Sequence, residues 1–254
     1  MTILRFYVRT FLFLFVTVVL APFYFLILLT FYKWRGRIGP RIVQFYSKIC
    51  LFIYRVHIEE IKNSVLFEKN RRGILIVANH TSFLDIFVLS AVFGSVFISK
   101  SEVKYYPVIG QIAWLMGVIF LERDSSKERL RVLKTIANEC PDKILVVFPQ
   151  GTTSGSTERL PFNRGVFKVV ELNPDVSLLP VSVYYKEETE IAWSKPQTLK
   201  ENAIRVSAQR KIYVKLVIHN LITMEDYREK TAQQICRMAE QTVLEPLQGK
   251  YDEI

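Results

Sequence analysis

Gly73-Ile-Leu-Ile-Val-Ala78 runs without a polar side chain into Asn79-His80-Thr-Ser-Phe-Leu-Asp85. A short, continuously apolar run of this kind reads as a strand buried on both faces. His80 falls at its end and Asp85 on the next turn. A neutral imidazole can take a proton from a hydroxyl, and its second ring nitrogen needs a partner to fix the tautomer, which Asp85 can supply. Taken alone, a His and an Asp at this spacing are better read as an ordinary strand end and helix start.

Working outward, similar apolar runs predict strands at 73–79, 95–99, 117–121, 144–148, 178–184 and 212–218. Helical periodicity falls between them at 84–93, 107–116, 125–139 and 164–172. Ile144-Leu-Val-Val-Phe148 is again apolar throughout, so its strand also needs cover on both sides. The alternation predicts an α/β fold with a central mixed, largely parallel sheet covered by helices. Residues 186–211, polar and interrupted by Pro196, read as a connecting excursion, and 224–248 as a closing amphipathic helix.

The N-terminus has a different character. Thr10 to Tyr32 holds 23 residues without a charge, roughly 34 Å as a helix and enough to cross or enter a bilayer. Pro22 in its middle either kinks one spanning helix or shapes a segment that enters and returns. No small-x-small cleavage site follows, which disfavours a cleaved signal peptide. An amphipathic helix is expected over 42–56, after a break at Gly39-Pro40, packed on the core or lying on a membrane. These readings set a membrane-binding helical anchor at 1–58 and a catalytic α/β domain at 59–254.

The net charge of +10 is concentrated there too. Met1 to Lys62 carries nine basic residues against Glu59 and Glu60, so +7 of the +10 sits beside the most apolar segment. That placement predicts attraction to anionic lipid head groups and disfavours nucleic acid as the partner. Cys50, Cys140 and Cys236 are far apart with no Cys-x-x-Cys pair, which argues against a disulfide framework or a zinc site.

Three further segments hold reactive residue types. Gly117-Val-Ile-Phe120-Leu-Glu-Arg123 ends an apolar run with a cation whose planar fork suits a phosphate. Phe148-Pro149-Gln150-Gly151-Thr152-Thr153-Ser154-Gly155 is a loop able to present backbone N–H groups to an anion or a developing oxyanion. Arg159, Arg164 and Lys168 follow it, the last two on one helical face. Leu179-Pro180-Val181 opens another buried strand.

In this order, Asn79-His80-Thr-Ser-Phe-Leu-Asp85, Gly117-x-x-Phe120-x-x-Arg123, Phe148-Pro149-Gln150-Gly151-Thr152 and Leu179-Pro180-Val181 resemble the four blocks of the glycerolipid acyltransferase family. That family includes bacterial 1-acylglycerol-3-phosphate acyltransferases. The resemblance covers about residues 60–220, and the N-terminus is similar to the family's two-helix anchor. It implies His80 as general base and Asp85 as its orienter, with Lys100 and Arg123 on the acceptor's phosphate. Gly151, Thr152 and Arg164 complete the expected substrate contacts. It also implies acyl-CoA or an acyl carrier protein thioester as co-substrate, no other cofactor and no metal.

Two positions depart from the family's Phe-Pro-Glu-Gly-Thr-Arg block. Gln150 stands for Glu and Thr153 for Arg. A Thr-Thr-Ser version of the block resembles lysolipid acyltransferases with other head groups, lyso-ornithine lipid enzymes among them.

The expected reaction is therefore acyl transfer to the free hydroxyl of a lysolipid at the membrane, on the cytoplasmic side, with 1-acylglycerol 3-phosphate as first acceptor and phosphatidic acid as product. Two other classes are weighed against it. A lipid hydrolase needs a Gly-x-Ser-x-Gly elbow that Ser154-Gly155 does not provide. A non-catalytic membrane-binding protein leaves His80, Asp85 and Arg123 without a purpose.

Overall fold

A computed structural model describes residues 2–30, 35–62, 73–106, 110, 113–114, 118–121, 126–140, 143–155 and 159–245. Two long helices lead, α1 (Thr2–Thr30) and α2 (Arg35–Tyr54). There follow β1 (Val56–Lys62), β2 (Ile74–Ala78), α3 (Leu84–Phe93), β3 (Val96–Lys100), β4 (Ile119–Leu121), α4 (Ser126–Glu139) and β5 (Leu145–Val147). A 3-10 turn at Arg164–Lys168 runs into α5 (Val169–Leu172). The chain closes with β6 (Ser177–Tyr185), α6 (Glu188–Ile191), α7 (Leu199–Ala208), β7 (Ile212–Ile218), α8 (Met224–Tyr227) and α9 (Ala232–Leu244).

The seven strands form one sheet in the order β1-β7-β6-β2-β5-β3-β4. Every neighbouring pair is parallel except β6 with β7, so β1 and β7 run against the other five. The sheet is mixed and largely parallel, as expected. β2 lies near the middle and all five of its residues are buried. Its pleat alternates the chain between two cores. Ile74, Ile76 and Ala78 join α2, α3 and Val206 of α7 on one face, and Leu75 and Val77 join α4, α5 and α9 on the other.

Several boundaries differ from the sequence reading. The second helix begins at Arg35 and passes through Gly39 and Pro40, so Pro40, its sixth residue, leaves one helical carbonyl without its usual donor. It stops at Tyr54, where Arg55 turns to φ 57°, and Val56 opens β1 instead of closing the helix. The expected domain boundary after residue 58 thus falls within a strand of the sheet. The helical stripe is also split. Val43, Cys50, Leu51 and Tyr54 face the core, whereas Phe45 and Phe52 point to solvent.

The excursion at 186–211 contains α6 and α7. α7 is started by a Thr198–Glu201 capping box and anchored by buried Asn202 and Val206. The closing helix is two helices, because Thr231 restarts the chain with a second capping box to Gln234. Most of the helix expected at 107–116 lies outside the described residues. All three cysteines are buried and free.

α1 is one unbroken helix through Pro22. Its Ile3–Ile27 segment is long and apolar enough to cross a membrane by length and composition. One stripe, however, is docked on the rest of the protein. Arg5 and Arg9 donate to carbonyls at the end of α7, Phe13 packs edge-on to Phe87 of α3, and Thr17 Oγ1 meets Tyr46 Oη of α2 at 2.7 Å. These residues recur every four positions, so they share a face. The opposite face exposes Tyr7, Phe11, Phe15 and Val18.

Candidate active site

The parallel strands bring their carboxyl ends to one edge of the sheet, the edge where α/β folds hold ligands. β2 delivers Asn79 and His80 there, and β5 delivers Phe148 and Gln150. His80 Nδ1 lies 2.8 Å from Asp85 Oδ2. Asp85 is fully buried at the start of α3, and Oδ2 also accepts the backbone N–H groups of Thr81 and Ser82 at 2.7 and 2.9 Å. Tyr185 Oη donates to Oδ1 at 2.7 Å. A carboxylate accepts only, so Nδ1 carries the ring proton in this bond and Nε2 holds the free lone pair. Among the described residues Nε2 has no hydrogen-bond partner, and the His80 side chain is 16% exposed.

The imidazole is also fixed from its flat side. It stacks on Phe148, with ring centroids 3.9 Å apart and planes 8° from parallel. Its backbone is tied to the third block by two bonds, His80 N to Gln150 Oε1 at 2.7 Å and Ser154 N to His80 O at 2.9 Å. Asn79 holds the strand end to β6, its side chain donating to Val183 O and accepting from Val183 N.

Gln150 is buried and works in both directions. Its Nε2 donates to Ser154 Oγ at 3.1 Å and to Leu160 O at 3.0 Å, bonds that a glutamate carboxylate cannot donate. Gly151 sits at φ 78°, where a side chain is disfavoured. Its N–H is taken by Phe148 O. Thr152 N–H forms no bond among the described residues, so Thr152 is the better placed of the two to meet an oxyanion.

The remaining expected contacts are less gathered. Lys100 ends β3 opposite Leu121 of β4, at the same sheet edge as His80. Its side chain and the whole of Arg123 lie outside the described residues. Arg164 is exposed on the 3-10 turn that packs against α9. Arg159 is engaged by Glu188 at 3.7 Å, and burial lowers its guanidinium pKa. Among the described residues no group of three His, Cys, Asp or Glu side chains is placed to hold a metal.

Sequence reasoning assigns no role to Phe148, Gln150 as a tie, Asn79 or Tyr185. Asn79 and Gln150 carry a signal, being polar residues directly after fully apolar strands. Tyr185 carries none, because nothing local marks which residue a strand will place beneath a distant carboxylate.

The family model for Acyltransferase matches residues 54–184, more than half of the chain. The chain belongs to the Acyltransferase family. A 1-acyl-sn-glycerol-3-phosphate acyltransferase from Neisseria meningitidis is 32% identical over 125 residues, covering 49% of each protein. Lyso-ornithine lipid O-acyltransferases are similar as well. The one from Rhizobium meliloti is 39% identical over 98 residues, 38% of this chain and 34% of its own. The one from Brucella abortus is 32% identical over 175 residues, 65% of this chain and 62% of its own. This family member spans about half the length of the curated relatives it matches. The crystal structure of the 1-acyl-sn-glycerophosphate (LPA) acyltransferase PlsC from Thermotoga maritima superposes over 100% of both chains with a TM-score of 0.74 at 18% identity, so the fold is shared.

Proposed function

We propose that the protein transfers an acyl chain from a thioester to the free hydroxyl of a lysolipid. The observation that carries this reading is the His80–Asp85 pair, with Nδ1 held at 2.8 Å and Nε2 left free. His80 Nε2 takes the acceptor's hydroxyl proton as the oxygen attacks the thioester carbonyl. Asp85 stabilises the imidazolium that forms, and the Thr152 N–H supports the oxyanion. Collapse breaks the carbon–sulfur bond, and the departing thiolate recovers the proton from His80. Acyl-CoA or an acyl carrier protein supplies the thioester. No covalent enzyme intermediate is required.

The first acceptor is 1-acylglycerol 3-phosphate, with Lys100 and Arg123 on its phosphate, giving phosphatidic acid. A lyso-ornithine lipid is the second reading, favoured by Thr153 in place of Arg, by the engagement of Arg159 with Glu188, and by the similarity to lyso-ornithine enzymes. An acceptor without a phosphate has no need of the missing cation.

Docking of α1 along the Arg5-Arg9-Phe13-Thr17 stripe supports a helix lying in the membrane interface rather than crossing it. In this arrangement α1 anchors the catalytic unit, whose sheet begins at Val56, on the cytoplasmic side, where acyl thioesters are found.

The test is thiol release by the purified protein in detergent, with an acyl thioester and a panel of lysolipids. His80→Ala is expected to abolish transfer with the circular-dichroism spectrum unchanged, and retained transfer overturns the mechanism. Transfer to lyso-ornithine lipid without transfer to 1-acylglycerol 3-phosphate reverses the order of the two acceptors.

A further inference from the structure

Arg55 has a positive φ at the end of α2 (57°), where glycine is the unstrained choice. Its carbonyl accepts Ile212 N–H at 3.1 Å, which draws the start of β1 to the start of β7 and brings Arg210 close. From the other side, Arg5 and Arg9 reach in from α1. Arg5 Nη1 donates to Ala208 O, and Arg9 Nη1 donates to Ser207 O and Gln209 O. These bonds use one nitrogen of each guanidinium. Arg9 is buried and stacks over the Tyr54 ring at 5.8 Å.

The four arginines line one open cavity of about 510 Å³. None of them makes an ion pair with a carboxylate among the described residues. Its remaining wall is apolar, with Leu4, Val8 and Leu12 at successive helical turns of α1. All three are exposed and continue the bare face of that helix. The cavity shares the sheet edge with His80 but sits at the starts of β1 and β7, with β6 between it and β2, and its lining includes no residue of the reaction centre.

We infer that this cavity is a second, non-catalytic lipid site, which takes the phosphate of an anionic bilayer phospholipid between Arg5, Arg9, Arg55 and Arg210 and lays its acyl chains along Leu4, Val8 and Leu12. Unpaired guanidinium groups match a phosphate diester, since each presents parallel N–H donors to two oxygens. The apolar wall selects a lipid over free phosphate or a nucleic acid, which leave it uncovered. Arg9 and Arg5, rooted on the α7 carbonyls, form the fixed floor, and Arg55 and Arg210, both exposed, form the rim. This rests on α1 lying in the membrane interface and is independent of the acyl-transfer reading.

The test is co-sedimentation of the full chain with vesicles of pure phosphatidylcholine and of phosphatidylcholine mixed with phosphatidylglycerol. Wild-type protein should bind both and bind the anionic vesicles more tightly. Arg55→Gln and Arg210→Gln should each reduce binding to anionic vesicles about fivefold. Binding to phosphatidylcholine and acyl transfer in detergent micelles should stay unchanged. The control Lys127→Gln/Lys134→Gln, which removes two charges on exposed positions of α4, should leave anionic binding as in wild type.

An equal loss in that control means diffuse attraction and overturns the site. Unchanged anionic binding in both arginine variants overturns it as well. Release by inorganic phosphate but not by sodium chloride of equal ionic strength assigns the cavity to free phosphate instead. Loss of micellar transfer with vesicle binding intact makes it part of the acceptor site. Failure of wild-type protein to bind any vesicle sinks the interfacial reading of α1 and this site with it, while leaving acyl transfer untouched.

Discussion

Tyr185 Oη donates to Asp85 Oδ1 at 2.7 Å across 100 residues of sequence. Tyr185 is fully buried, and that burial, followed by the charge of Asp85, holds its phenol pKa well above the usual value, so it stays a donor. The tyrosine thereby fixes the rotation of the carboxylate that fixes His80. It touches neither substrate nor reacting atoms and is a positioning residue. Tyr185→Phe should lower kcat about tenfold, the size of one hydrogen bond to a charged group, with KM for the acceptor unchanged. Steady-state kinetics beside a thermal melt check this, and a fall in stability with kcat intact rejects it.

Asp85→Asn removes the charge that stabilises the imidazolium. Oδ2 accepts two backbone N–H groups besides His80 Nδ1, so the amide oxygen takes its place, the ring proton stays on Nδ1, and the amide N–H₂ turns to Tyr185 Oη. The expected loss in kcat is about 10–100-fold, the size of one charge-assisted hydrogen bond. Single-turnover measurements of thiol release test it, and an unchanged rate contradicts the role given to Asp85.

Gln150→Glu restores the family residue and should nevertheless destabilise this chain. Ser154 can turn its hydroxyl proton toward a carboxylate, but the Leu160 carbonyl cannot, and it would face an anion at 3.0 Å. The cost is about 1–3 kcal/mol, read as a lower midpoint in denaturant. A variant as stable as wild type means that the loop 150–160 relaxes and that the departure has no structural cause.

His219 gives a pH dependence. Ser182 Oγ donates its one proton to Val243 O, so at its 2.8 Å contact with His219 Nε2 the ring nitrogen is the donor. Burial lowers the pKa of His219 to about 4 from its usual 6.5. The unfolded chain therefore binds a proton before the folded one does. The stabilisation is fully present above pH 6.5 and is lost as pH falls toward 4. His219→Gln keeps a donor without titrating. Melting curves from pH 7 to 4 should show wild type losing more stability than the variant, and parallel curves contradict the assignment.

The bare face of α1 is testable through Phe11 and Phe15, which stack on each other with ring centroids 6.0 Å apart and point to solvent. Each Phe→Ser change should weaken partition into phosphatidylcholine vesicles by at least about tenfold, the transfer energy of one buried side chain. The melting midpoint should not move, because neither ring packs on the core. Undiminished partition places the membrane contact elsewhere.

Most of the sheet is legible in the sequence because its strands are apolar on both faces. Ile74-Leu-Ile-Val-Ala78 and Ile144-Leu-Val-Val-Phe148 admit few other placements. β1 is hidden because Val56 also extends the helical stripe of α2, and only the turn at Arg55 separates them. α7 is hidden because only Val206 of its buried residues, Asn202, Val206 and Ser207, is apolar, too little to make a periodic stripe. At the site, His80 and Asp85 are legible because they are close in sequence and their types imply a pairing.

The sequence by itself determined the α/β class, the His80–Asp85 pair and an apolar, basic N-terminus, since each rests on side chains within a few positions of one another. Tertiary structure decided which residues serve that pair and what the N-terminal charges do. Strand pairing brings Tyr185 under Asp85, the turn at Gly151 lets Gln150 hold the His80 backbone, and docking of α1 roots Arg5 and Arg9 on the α7 carbonyls through one nitrogen each. Each is a contact between segments far apart in the chain. Its existence depends on the order and direction of strands in the sheet, which no local pattern of residues encodes.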